Sequence, residues 1–375
     1  MLNFTRICHN MLSIKGYSSK MFFSDVFLFN IPNEEEHRQI KFYRRSLRDS
    51  SNPLELPEEL FLRRYRVNKE VFVYLHTQLH LPNGARCTFI PPILQLATTL
   101  QLLGGGSYQW QVGVDFVAPM SQSTVHYVTT SVIKEMESAF CKKWIRFKIS
   151  NVTKQFFYAK YRIPSVIGCI DGTHIMMLRP QQNEHMFFNR KGKHSINAMI
   201  ICNETLEIMS VNAKYGGCAH DSFVWQQSKE RAMLETEYDK GMRNFWLLGD
   251  SGYKLENYLL TPYRVSEENS PEHEFNKTHS KARSIVERSI GVWKSRWRIV
   301  LEERKCRYTP QKLATIIYVT AALHNICCHY RVALPERITE NTEERWNNIP
   351  ITQNAESQTA TSIRDRIRDG LLGLN

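Results

Sequence analysis

Three acidic residues raise the chemical question in this chain: Asp171, Asp250 and Glu287. Asp171 ends the apolar run Val166-Ile-Gly-Cys-Ile and is followed by Gly-Thr-His174. Asp250 follows a second apolar run, Phe245-Trp-Leu-Leu-Gly, and precedes Ser-Gly. Short apolar runs bounded by turn signals read as buried strands, and ligands of α/β folds bind at strand ends. Both aspartates are therefore expected at strand ends. Glu287 lies at the edge of a helical-period stripe formed by Val286, Ile290, Trp293 and Trp297, from which a carboxylate can point back toward a sheet. Carboxylates are hard oxygen donors suited to Mg2+ or Mn2+. A pair of such ions can activate water and stabilise the leaving oxygen in phosphodiester cleavage. The same acids could serve as helix caps or surface ion pairs, and spacing alone does not separate these readings.

The elements that must carry the acids alternate between strand and helix after Pro164. Strands are expected over 165–171, 195–202, 207–214 and 245–248, and helices over 220–234, 275–297 and 311–330. Asp221 stands where an aspartate can cap the first of these helices. His324 and Asn325, in the last, read as satisfied core groups.

Before Pro164 the pattern is helical, over 58–65, 69–79, 93–103, a short piece around Tyr108, Trp110 and Val112, and 122–140. Asn68 and Ser121 are placed as N-caps. Val125, Val128, Val132, Met136 and Phe140 give the last of these helices one apolar face, and Gln122, Ser123 and Thr124 leave its start polar. This is the outline of a helix-turn-helix, although a plain helical packing domain has the same face. The expected organisation is a poorly ordered leader over 1–55, a helical, helix-turn-helix-like domain over 56–150, an α/β domain over 160–330 and a polar flexible tail over 331–375.

The formal net charge of +12 favours a polyanionic partner, nucleic acid before acidic membrane. No apolar stretch reaches the roughly 18 residues of a membrane span. The nine cysteines are dispersed and form no CxxC pair, which suits reduced thiols in the cytosol or nucleus.

Five segments in fixed order, VIGCIDGTHI, NRKGKHSINAMIICN, GGCAHDSFVW, WLLGDSGYKLENYLLTP and ARSIVERSIGVWKSRW, resemble the PIF/Harbinger transposases, and more closely the Harbinger transposase-derived nucleases of animals. The resemblance covers about 164–329, and 93–136 is similar to the helix-turn-helix region of the same proteins. It implies an RNase H-like DDE nuclease core, a mixed sheet flanked by helices. The DDE pattern falls on Asp171, Asp250 and Glu287, and a fourth metal-site acid falls on Asp221, in competition with the capping role. The resemblance further implies Mg2+ or Mn2+, a DNA substrate, a Myb-like DNA-binding partner protein and a nuclear location, with cytoplasm as a second compartment. A homo-oligomer is left open. Among the motif residues, Lys191, Lys193, Arg283, Arg288 and Lys294 are candidates for nucleic-acid binding, with Arg296 and Arg298 extending the basic face. Arg283 and Arg288 could instead pair with the neighbouring acid, Lys191 and Lys193 could form a solvated turn, and His174 could orient a carboxylate, contact substrate or simply pack.

Two rivals remain. A strand ending in Asp-Gly-Thr also occurs in haloacid dehalogenase-like phosphatases, but their nucleophilic aspartate would fall on Cys169, so that chemistry lacks its nucleophile. The stronger rival is a retired transposase acting as a DNA-binding or scaffolding protein. The intact acids favour the nuclease.

Overall fold

The computed structural model describes residues 33–84, 89–115, 117–333 and 357–373. It divides into two units, residues 1–50 and residues 51–375. The described part of the first unit is helix α1, Glu34–Asp49. The Asn33 side chain accepts from Glu36 N at 2.8 Å and the Glu36 carboxylate accepts from Asn33 N at 3.1 Å. This capping box opens a helix where the sequence suggests a poorly ordered leader.

The second unit begins with helices α2 (Glu58–Tyr65), α3 (Lys69–Gln78), α4 (Pro92–Gly105), α5 (Gln109–Gly113) and α6 (Gln122–Met136). Asn68 and Ser121 cap α3 and α6, accepting from Val71 N at 2.9 Å and Thr124 N at 3.3 Å. Helix α6 buries Val125, Val128, Val132 and Met136, the expected face. Gly106 ends α4 in the left-handed region at φ 61°, and a Cβ there would lie 2.7 Å from Arg298 O, so both conformation and close packing call for glycine. The chain then runs through α7, Asn151–Tyr161, into the sheet.

Five strands follow: β1 (Val166–Met176), β2 (Ser195–Cys202), β3 (Ile208–Gly216), β4 (Trp246–Leu248) and β5 (Leu259–Leu260). Their spatial order is β3-β2-β1-β4-β5. The β1–β2 and β2–β3 pairs are antiparallel, and the β1–β4 and β4–β5 pairs are parallel. The intervening and following helices are α8 (Glu184–Phe187), α9 (Asp221–Gln226), α10 (Lys229–Asp239), α11 (Pro271–Arg296), α12 (Pro310–His329) and α13 (Gln358–Leu372). On one side of the sheet, Cys169, Ile175 and Ile200 share a core with Val286 and Trp293 of α11. On the other, Ile167, Ile170 and Met199 pack with Trp225 of α9, Leu234 of α10 and Tyr253. The fold is thus the mixed sheet between helices expected from sequence.

Several boundaries differ. The strand expected to stop at Asp171 continues to Met176, because β2 pairs with it from Cys169↔Cys202 to Met176↔Ser195. Gly172-Thr-His174 therefore stays extended instead of turning. Pairing with β4 stops earlier, at Cys169↔Leu248. Asp171 accordingly lies within β1, just past the point where one edge of the strand loses its neighbour. The helix expected over 220–234 is two, broken before Ser228, whose Oγ accepts from Arg231 N at 3.1 Å and caps α10. The two-residue β5 goes beyond the sequence expectation.

The expected flexible tail contains α13, which buries Ala360 and Ile367. Arg296, expected on a basic face, is 2% exposed. Its Nη1 donates to Arg66 O at 3.2 Å and its Nη2 to Val332 O at 3.0 Å. It ties backbone segments together because the α11 stripe turns it inward. His324 and Asn325 are both buried, as expected for core groups, and Asn325 is satisfied, but His324 Nδ1 has no hydrogen-bond partner among the described residues. His324 Nε2 is 2.9 Å from Leu206 O, and Asn325 accepts from Ile208 N at 2.8 Å while donating to Ile208 O at 2.8 Å. Among the described residues, no helix is long and apolar enough to cross a membrane.

Candidate active site

Four elements deliver acidic side chains to the open edge of β1. Asp171 comes from the strand itself. Asp250 stands two residues after β4, its Oδ1 accepting from Gly252 N at 3.0 Å. Helix α11 crosses one face of the sheet, where Cys169 Sγ lies 3.6 Å from Ala282 O, and so brings Arg283 and Glu287 to the same edge. Arg283 Nη1 donates to Asp171 Oδ2 at 3.3 Å, and its Nη2 donates to Glu287 Oε1 one turn along the helix. Asp221 approaches from the opposite face on α9.

Asp221 is not the helix cap. The N-cap position belongs to His220, and Asp221 Oδ1 accepts from Asn197 Nδ2 of β2 at 2.6 Å. A Cβ at Gly172 would overlap the Asp221 carboxylate. The missing side chain at Gly172 lets this carboxylate rest against β1, one residue from Asp171.

Crowding acids together in a partly dry site raises their proton affinity. Burial pushes the Asp171 carboxyl up to about 7; Arg283 opposes the shift, and Asp250, Asp221 and Glu287 add to it. Burial likewise raises Asp250, with Arg283 opposing. Burial works against the Arg283 charge, but Asp171, Glu287 and Asp250 hold its pKa above the ordinary value. Two buried polar atoms in this neighbourhood, Tyr253 OH and Asn197 Oδ1, have no hydrogen-bond partner among the described residues. Burial and the aspartates Asp221, Asp171 and Asp250 push the Tyr253 hydroxyl well up.

The basic candidates divide. Lys191 and Lys193 are exposed on a turn fixed by Asn189, whose Oδ1 accepts from Lys191 N at 3.0 Å and Lys193 N at 3.1 Å. Arg288 is exposed beside Glu287. Lys294 Nζ donates to His174 O at 3.2 Å, and burial lowers its pKa to about 8. His174 Nδ1 lies 3.0 Å from Ser195 Oγ. Arg283 is engaged by the acids instead of facing outward. Sequence reasoning missed Asn197 and Tyr253. Asn197 had a signal, as the one amide in the apolar run Ser195–Cys202; Tyr253 stood in the GDSGY segment without a distinguishing feature.

The donor set suits a hard divalent cation, and the two orphaned oxygens add polar atoms without partners. Among the described residues, no three His, Cys, Asp or Glu side chains converge closely enough to hold an ion as they stand. The Arg283 guanidinium bridges Asp171 and Glu287 instead, a cation in the midst of the acids.

Residues 170–325 match the family described as DDE superfamily endonuclease. The span begins one residue before Asp171 and ends at Asn325. The human protein named "Putative nuclease HARBI1" is 30% identical over 266 residues, covering 68% of this chain and 74% of the human one. The chain belongs to the Harbinger transposase-derived nucleases of the DDE superfamily. Within this family the bovine protein of the same name is 31% identical over 248 residues, 64% of this chain and 68% of its own. The Arabidopsis thaliana "Protein ALP1-like" is 25% identical over 310 residues, 75% of this chain and 71% of its own. No solved structure matches this Harbinger-derived chain.

Proposed function

We propose that this chain is a metal-dependent DNA nuclease in which Asp171, Asp250 and Glu287 are the catalytic carboxylates and Asp221 is a further metal ligand. The observation that carries the reading is the gathering of Asp171 of β1, Asp250 after β4 and Glu287 of α11 about Arg283, with Asp221 of α9 resting against Gly172 beside Asp171. These carboxylates would hold Mg2+ or Mn2+, which supplies an activated water and stabilises the departing oxygen. Arg283 keeps the acids compatible with the fold by neutralising part of their charge. Asp221 is oriented by Asn197. Lys191, Lys193, Arg288 and Lys294 attract and position the polyanionic substrate. The polar start of α6, with Gln122 and Ser123 exposed, is the second DNA contact. A Myb-like partner protein and a nuclear location belong to the same reading through the family resemblance.

The bridging of Asp171 and Glu287 by Arg283 favours one second reading, a retired transposase that binds DNA without cutting it. Incubating purified protein with labelled duplex in Mg2+, Mn2+ or EDTA separates the two. Cleavage in either metal that stops in EDTA supports the nuclease. Binding without cleavage in both metals supports the retired form.

A further inference from the structure

The segment joining α11 to α12, Glu302-Glu-Arg-Lys-Cys-Arg-Tyr308, takes up the strand edge that β4 leaves free. Cys306 N donates to Met176 O at 3.0 Å, and Leu178 N donates to Cys306 O at 2.9 Å. Met177 and Cys306 form a parallel bridge. The edge of β1 is therefore covered by β4 up to Cys169 and by this segment from Met176 onward, and Asp171 lies in the gap between them. Side chains alternate along an extended segment. Burying Cys306 leaves Lys305 and Arg307 exposed.

Lys305 meets Lys193 and Arg179 around a shallow cavity of about 110 Å³ beside Met176. Arg179 is paired with Glu184 at 2.6 Å. The Lys193 and Lys305 ammonium groups have no partner among the described residues. At the other end of the segment, the Arg307 guanidinium lies 4.7 Å from the centre of the Tyr108 ring. Gln109 Nε2 donates to Tyr308 OH at 3.3 Å, tying α5 to the same segment. Tyr108 and Trp110 are 55% and 58% exposed. Between residues 104 and 134 the one acid is Asp115, which Gln101 and Arg64 already engage.

Unpaired cations that lead to exposed aromatic rings suit a strand that carries both phosphates and stackable bases. We propose that Lys193, Lys305 and Arg307, followed by Tyr108 and Trp110, form the track on which DNA leaves the carboxylate cluster. The inference rests on the nuclease reading. Met176 is five residues along β1 from Asp171, about 17 Å at roughly 3.3 Å per residue. That is about five nucleotides at roughly 3.4 Å each along a duplex, so the first cation contact falls on the flank of the cut.

The test is fluorescence anisotropy of a labelled duplex that ends in a single-stranded extension, whose unpaired bases are free to stack, with the full chain in EDTA, repeated across a salt series. Lys305→Ala with Arg307→Ala is expected to weaken binding about tenfold and to reduce the slope of log affinity against log salt by about two. Tyr108→Ala with Trp110→Ala is expected to weaken binding about tenfold with the slope unchanged, because stacking releases no counterions. If either pair retains wild-type affinity and slope while the wild-type chain binds and cuts DNA, the track is wrong and the nuclease reading stands; the aromatic surface would then be left for a protein partner. A wild-type chain that binds no duplex overturns both.

Discussion

Arg283 donates to Asp171 at 3.3 Å, from helix α11 to the middle of strand β1. The contact joins a residue of the expected DNA-binding set to one of the expected metal set. It makes the acid cluster compatible with the fold before any substrate arrives. Removing one partner of a largely buried ion pair leaves the other charge uncompensated. Arg283→Gln should therefore lower the stability of the metal-free chain by about 3 kcal/mol. Thermal melts with and without Mn2+ check this: the metal should raise the melting temperature of the variant more than that of the wild type. Equal shifts would mean that the ion and the guanidinium do not share the acids.

Gly172 exerts its effect through Asp221. A methyl group at this position would overlap the Asp221 carboxylate and push it off the strand. Gly172→Ala should keep the fold, read by circular dichroism, and slow cleavage about a hundredfold, the scale of a misplacement of about 1 Å. Full activity in this variant would remove Asp221 from the site.

Lys294 provides a pH dependence. Burial lowers its pKa to about 8, so its positive charge is present at pH 7 and lost as pH rises through about 8. DNA affinity should fall about tenfold between about pH 7 and 9, the worth of one charge-assisted hydrogen bond. Lys294→Arg, which stays charged, should give a flat profile over the same range. A wild-type profile as flat as that of the variant would show that Lys294 does not face phosphate.

Gly291 lies in the interior of α11, between Glu287 and Lys294 on the same face. Nothing lies within 4 Å of where its Cβ would be, so packing does not require glycine. Gly291→Ala should stabilise the chain by about 0.5–1 kcal/mol. If the empty position admits the substrate backbone, the same variant cuts DNA more slowly. A melt and a cleavage assay on one preparation test both signs, and a variant that is stabilised and fully active would leave Gly291 without a role in binding.

The large elements are legible in the sequence because their signals are local. Asn68 and Ser121 announce helix starts, and the stripe ending in Trp293 and Trp297 announces α11. The run Ser195–Cys202 is legible to the residue because both faces of β2 are buried. Differences arise where tertiary pairing overrides local signals. Gly172-Thr-His174 reads as a turn, yet β2 holds it extended. Asp221 reads as a cap, yet Asn197 draws its carboxylate to the sheet. Arg296 reads as surface charge, yet two carbonyls far away in sequence bind it. The acids can be named from sequence, but the guanidinium between them requires the crossing of α11 over β1.

The central claim is that the acids at the edge of β1 cut DNA. The most direct measurement is the single-turnover cleavage rate of Asp250→Asn in Mn2+, on duplex shown to be bound in the same tube. The account predicts retained binding and a rate lower by about a thousandfold or more. Cleavage at the wild-type rate by this variant would contradict it.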